Sequence, residues 1–157
     1  MKKSILFILL GAVALGSCKK VVEVKDLDKE IDLYFIYSFT GSTSTAFDNN
    51  NTTCLLKDFD KRDFKHIDSI TLNIGLVTQF ATDTAYVRLY NVTDQVEIAN
   101  SQMAIPGRNV SDYIEYHSNN ILANLPDKRV TLAVQMRSST PNGTVSGYGP
   151  RLKLRRN

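Results

Sequence analysis

Ser69-Ile70-Thr71-Leu72-Asn73-Ile74-Gly75-Leu76 alternates polar and apolar residues without a break. Successive side chains of an extended strand point to opposite faces, so Ile70, Leu72, Ile74 and Leu76 share one face and Ser69, Thr71, Asn73 and Gly75 the other. The stretch lies in the run from Ile67 to Leu76, which predicts a strand with one side in a core and one toward water. The same period recurs on either side of it. Glu30 to Phe39 aligns Ile31, Leu33, Phe35, Tyr37 and Phe39. Thr84 to Tyr90 sets Ala85, Val87 and Leu89 against Thr84, Tyr86, Arg88 and Tyr90. Arg129 to Arg137 sets Val130, Leu132, Val134 and Met136 against Thr131, Ala133, Gln135 and Arg137. No segment after residue 30 carries a sustained helical stripe.

Shorter strands are expected at Thr52 to Leu56, Val96 to Gln102, Val110 to Tyr116 and Arg151 to Arg155. Turn chemistry separates them. Asn91-Val92-Thr93-Asp94 suits a hairpin whose Asn and Asp bond their own backbone, and Pro106-Gly107, Leu125-Pro126-Asp127-Lys128 and Pro141-Asn142-Gly143 supply breaks. The count is about eight short strands, which predicts an all-β fold: a single antiparallel β-sandwich over residues 30–157, jelly-roll-like because its connections are long. The chain has no Trp and only two Cys, which argues against an immunoglobulin-type sandwich.

Residues before 30 read differently. Met1-Lys2-Lys3 is followed by Ile5 to Gly16, all apolar or small. As a helix this run reaches roughly 18 Å, short of a ~30 Å hydrocarbon core, so it fits a secretory signal over residues 1–17 better than a spanning helix. The next residues, Leu15-Gly16-Ser17-Cys18, resemble the lipobox of bacterial lipoproteins. The resemblance implies cleavage before Cys18, diacylglycerol on its thiol, and acylation of the new amino terminus. Two or three fatty chains, at about 0.8 kcal/mol per buried methylene, anchor a protein firmly. Lys19 after the cysteine is similar to an outer-membrane address in Gram-negative sorting, facing either the periplasm or the exterior. Residues 18–29 read as the lipidated cysteine and a charged tether.

Composition narrows function. With 43% hydrophobic and 22% charged residues the chain is a globular folder. Without Lys2 and Lys3, its 19 basic residues become 17 against 16 acidic, which gives no drive toward nucleic acid. Phosphate loops, the Gly-x-Ser-x-Gly elbow and paired-cysteine metal motifs do not occur in the sequence. With only His66 and His117, a histidine-rich metal site is excluded. Cys54, left alone once Cys18 is modified, reads as a small buried hydrophobe. Asp58, Asp60 and Asp63 form a carboxylate loop that could hold Ca²⁺, but Lys61 and Arg62 sit among them and no cofactor is expected.

Tyr86 and Tyr90 flank Arg88 on the outward face of one strand, and Tyr113 and Tyr116 lie in another. Tyrosine rings stack on sugars while arginine bonds hydroxyls, although the same residues also stabilise sheets by cross-strand packing. Ala85-Tyr86-Val87-Arg88-Leu89-Tyr90-Asn91-Val92-Thr93-Asp94 resembles hairpins in jelly-roll modules of bacterial and phage surface proteins, carbohydrate-binding modules included. Arg151, Lys153 and Arg155 are expected on an edge strand, where they deter aggregation. The expected function is therefore a non-catalytic, membrane-anchored module of the cell envelope that binds a glycan or other envelope ligand. The alternative is an assembly lipoprotein that binds another envelope protein.

Overall fold

A computed structural model describes residues 29–36, 39–48, 54–107 and 114–156. Within them ten strands run in chain order: β1 (Glu30–Tyr34), β2 (Phe39–Ser42), β3 (Leu55–Phe59), β4 (Ser69–Thr78), β5 (Thr84–Asn91), β6 (Val96–Glu97), β7 (Met103–Pro106), β8 (Glu115–His117), β9 (Val130–Ser138) and β10 (Val145–Arg155). One antiparallel sheet, A, has the order β1-β10-β4-β8 with β2 also on β10. The other, B, has β3-β9-β5-β6 with β7 also on β5.

β1 and β2 pair with successive stretches of β10, so they act as one interrupted strand, and β6 and β7 do the same along β5. Merged in this way, the strands number eight. Their orders are first-eighth-third-sixth in one sheet and second-seventh-fourth-fifth in the other, which is the winding of a jelly roll. The expected all-β sandwich is the fold observed.

The alternation read from the sequence builds the core. Ile70, Leu72, Ile74 and Leu76 of β4 face Ala85, Val87 and Leu89 of β5, with Val130, Leu132, Val134 and Met136 of β9 and Val145, Leu152 and Leu154 of β10 completing the layer. Burying each such side chain contributes about 1.5–3 kcal/mol, so truncating fully buried Leu72 to Ala costs about 2–5 kcal/mol.

Several strand boundaries differ from the sequence reading: Glu30 to Phe39 divides into β1 and β2, β3 runs Leu55–Phe59 where the sequence predicts Thr52 to Leu56, and two further runs differ as well. The run from Val96 to Gln102 divides, because Ile98 turns inward and Ser101 Oγ donates to Ile98 O at 2.6 Å, closing a turn before β7. β10 starts six residues earlier than expected. Gly149-Pro150 looks like a break, but here it is a bulge: between Tyr148 and Arg151, β10 carries one more residue than β4 does between Gly75 and Asn73. Gly149 takes φ +56, a left-handed conformation that glycine adopts at little cost.

β10 is a central strand, between β1 and β4, so the edge-strand reading of its basic residues is wrong. Lys153 and Arg155 pair with Glu30, and Arg151 pairs with Asp32 and Glu115. They tie neighbouring strands together across the outer face.

The sandwich has two distinct ends. At the entry end, where the described chain begins, Arg156 N donates to Lys29 O at 2.9 Å, and the connections 60–68 and 118–129 cluster there. The far end holds the connections 79–83 and 139–144. Eleven residues of β10 separate the two, roughly 33 Å at strand rise.

Candidate functional site

On β5 and β9, the side chains that leave the core meet on the outer face of sheet B. Register places Tyr86 beside Arg137 and Arg88 beside Gln135. Tyr86, Arg88 and Tyr90 do share one face, as expected. That face is occupied by the protein itself. The segment after β2 crosses it and lays Phe47 under Arg88 Cζ at 4.1 Å and under Arg137 Cζ at 5.2 Å. Arg137 also stands 3.7 Å over Tyr86, and Arg88 lies 5.6 Å from the Tyr90 ring.

Hydrogen bonds complete the cover. Arg88 donates through Nε to Gln135 Oε1 and through a terminal nitrogen to Glu97 Oε2, both at 2.8 Å. Gln135 Nε2 donates to Asp48 O at 3.0 Å. Arg88 is 14% exposed and Tyr90 5%, so neither presents a surface for a ligand. This is the cross-strand packing arrangement, stabilised by cation–π contacts.

Tyr116 lies elsewhere. It is on β8 in sheet A, opposite Ile74, and packs against the core. The structure therefore does not bring it to the Tyr86–Arg88–Tyr90 face. Tyr113 and Cys18 lie outside the described residues.

The carboxylate loop is likewise committed to its own arginines. Asp60 accepts from Arg62 Nε at 2.9 Å and from a terminal nitrogen at 2.7 Å, and it caps the short 3₁₀ turn through Arg62 N at 3.0 Å. The Arg62 guanidinium holds the Asp60 carboxyl down at about 2. Asp63 pairs with Arg129 at 3.1 Å, and Asp58 offers Arg129 its backbone carbonyl. Among the described residues no three His, Cys, Asp or Glu side chains gather as a metal site. Cys54 is buried, and burial pushes its thiol up to about 12, the opposite of what a nucleophile needs.

The outer face of sheet A divides in two. Toward the entry end it is a lattice of charges. Arg151 donates to Glu115 Oε2 at 2.6 Å and lies 3.3 Å from Asp32, while Asn73 Nδ2 donates to Glu115 Oε1 at 2.6 Å. Burial opposes the Glu115 charge, but the Asn73 and Arg151 donors outweigh it and hold the carboxyl below its ordinary range.

Past the Gly149 bulge the charges stop. Ser146 lies beside Val77 and Tyr148 beside Gly75. Small residues next to one large ring leave a groove of about 350 Å³, lined by Val77, Thr78, Gln79, Thr144, Ser146 and Tyr148. Tyr148 is 41% exposed there.

The loops around the groove are uncharged: residues 79–82, 139–144 and 43–46 contain no Asp, Glu, Lys or Arg. Among the described residues of these far-end loops the one acid, Asp83, is 1% exposed. It accepts from Thr84 N (2.8 Å), Ser138 Oγ (2.7 Å), Ser139 Oγ (2.6 Å) and Ser139 N (3.1 Å). Burial works against its charge, yet these donors prevail and keep its carboxyl below the usual range. Gly143 and Gly107 close around it. A Cβ on Gly143 would strike Asp83 Oδ2 and Ser138 Oγ, and one on Gly107 would strike the backbone carbonyls of Phe80 and Asp83. The 79–82 and 139–144 loops are thus pinned by a buried anion and carry only neutral side chains.

Sequence reasoning missed Phe47 and Tyr148. Phe47 has no periodic context. Tyr148 sits just before Gly149-Pro150, which masks the alternation of Val145-Ser146-Gly147-Tyr148. No family model matches this chain, and comparison with curated proteins finds no match either. Among the described residues no helix is long and apolar enough to cross a membrane.

Proposed function

We propose that this chain is an envelope lipoprotein, held in the outer membrane by acyl chains on Cys18, whose jelly roll is a non-catalytic module that binds a glycan or other envelope ligand. The observation that carries this reading is the polarity of the domain. The tether region joins at an end whose loops are braced by ion pairs, namely Lys61–Asp127, Arg62–Asp60, Lys128–Asp94 and Arg129–Asp63. The opposite end carries an open groove in a rigid, uncharged frame. An anchored receptor needs that arrangement, with attachment at one pole and an accessible concavity at the other. The buried, proton-holding thiol of Cys54 and the arginine-paired carboxylates of the 58–63 loop support a non-catalytic role.

The test is envelope fractionation and mass spectrometry of protein from its native host, together with binding of the acylated protein to glycan arrays and isolated sacculi. Diacylated or triacylated Cys18 and retention on one of these surfaces are expected. A free thiol on Cys18 overturns the anchor, and failure to bind any envelope polymer overturns the receptor. One observation favours the alternative of an assembly partner: Tyr34 and Ile36 are exposed at the β1 edge. Stoichiometric co-purification with an envelope protein, lost in Tyr34→Ala and Ile36→Ser variants, would decide for it.

A further inference from the structure

We infer that the groove at the far end of sheet A is a recognition site for a neutral, hydroxyl-rich glycan that stacks a sugar ring on Tyr148. The inference rests on the receptor reading and names its ligand class and its site. Three features of the groove carry it.

First, its chemistry is two-sided. The Tyr148 ring and Val77 offer an apolar wall for the C–H face of a pyranose, while Gln79, Thr144 and Ser146 offer hydroxyl and amide groups within the same concavity. An apolar platform with convergent neutral donors and acceptors fits a polyhydroxylated ring, each of whose hydroxyls both donates and accepts.

Second, among the described residues the lining holds no Asp, Glu, Lys, Arg or His, and the flanking loops 79–82 and 139–144 hold none either. A phosphate, carboxylate or ammonium entering this groove would shed water and meet no counter-charge, so charged ligands are disfavoured. Nearby surfaces are densely charged by comparison. Arg151, Asp32, Lys153 and Glu30 lie on the same sheet face beyond the bulge, and Glu115, in register with Gly75, is bonded to Arg151 and Asn73.

Third, the site is preorganised. Asp83 accepts four hydrogen bonds from the residues that begin β5 and end β9, and Gln79 N donates to Thr144 O at 2.9 Å, joining the two loops that flank the groove. Ligand binding therefore costs little loop ordering.

The experiment is titration of the full mature chain, in detergent, with soluble neutral polysaccharides (a β-glucan, an α-mannan and a galactan) and one polyanionic polysaccharide, at low and at 1 M salt. Saturable binding to at least one neutral polymer is expected, undiminished by salt and weakened about tenfold or more in Tyr148→Ala. Ser146→Arg, which fills the groove from an outward-facing strand position, is expected to abolish it. Thermal unfolding checks that both variants keep the fold.

Binding that Tyr148→Ala and Ser146→Arg leave unchanged would overturn the site while the receptor reading stands. Preference for the polyanion, with loss at high salt, would overturn the neutral ligand class. Retention of a neutral peptide in place of any sugar would overturn the glycan. Failure to bind any of these polymers or isolated sacculi would remove the receptor reading itself.

Discussion

Both outer faces of this sandwich carry strand tyrosines, and they differ in exposure: Tyr90 is 5% exposed and Tyr148 41%. On sheet B, Tyr86 and Tyr90 alternate with Arg88 in a pattern that suits sugar binding on paper. There the chain supplies its own occupant: Phe47 takes both arginines, and Gln135 and Glu97 take the hydrogen bonds. On sheet A past the bulge, Tyr148 lies in register with Gly75 on one side and Phe39 of β2 on the other, and it remains 41% exposed at the groove. Residue type does not distinguish the two faces. What distinguishes them is whether the rest of the fold fills the space, and that depends on long-range placement.

The comparison breaks first under acid. Asp60, Glu115, Asp83, Asp94 and Glu30 all have carboxyls held below their ordinary values of 3.8 or 4.5. The folded state therefore binds fewer protons than the unfolded chain. The stability these carboxylates contribute is fully present above about pH 5 and falls as pH drops below those ordinary values, with the Asp60 share lost as pH passes through about 2. Denaturant midpoints measured from pH 7 to pH 2 should decline in that window. Ligand affinity should stay flat from pH 5 to 8, because the groove lining is not ionisable there.

Among the substitutions that bear on this comparison, Asp83→Ala should cost most, about 3 kcal/mol, since it removes the acceptor of the buried Ser138 hydroxyl and of Thr84 N and Ser139 N. Urea denaturation measures it, and the groove should lose affinity with it. Arg88→Ala comes next at about 2 kcal/mol, because removing the guanidinium leaves Gln135 and Phe47 without their partner on the covered face. If that face were a ligand site instead, Arg88→Ala would reduce binding with little change in stability. Gly149→Ala should cost about 1 kcal/mol, the price of a left-handed φ for a residue with a Cβ. Tyr148→Ala should be nearly silent in stability, under about 0.5 kcal/mol, because an exposed ring on a sheet surface contributes little to folding. A large destabilisation there would mean that Tyr148 packs structurally, as Tyr90 does.

The architecture was legible because alternation is local. The core faces of β4, β5 and β9 follow directly from Ile70 to Leu76, Ala85 to Leu89 and Val130 to Met136. The hairpin at Asn91–Asp94 was legible for the same reason, and Asp94 N does donate to Asn91 Oδ1 at 3.1 Å. Strand order was not. Nothing in Arg151 to Arg155 says that the last strand lies between the first and the fourth, where its cations meet Glu30, Asp32 and Glu115. Tyr116 fell to a similar ambiguity, since a lone tyrosine in a short strand faces in or out with equal ease. The groove was hidden by Gly149-Pro150, which reads as a chain break and acts as a bulge that ends the charged lattice and begins the neutral one.

The most direct test is amide chemical-shift mapping of the mature chain during titration with the neutral polysaccharide it binds. Shifts concentrated on residues 75–79 and 144–148, with 86–90 and 135–137 silent, are the expected result. Perturbation centred on Tyr86, Arg88 and Tyr90 would contradict the account, because the face closed by Phe47 would then be the one that opens to the ligand.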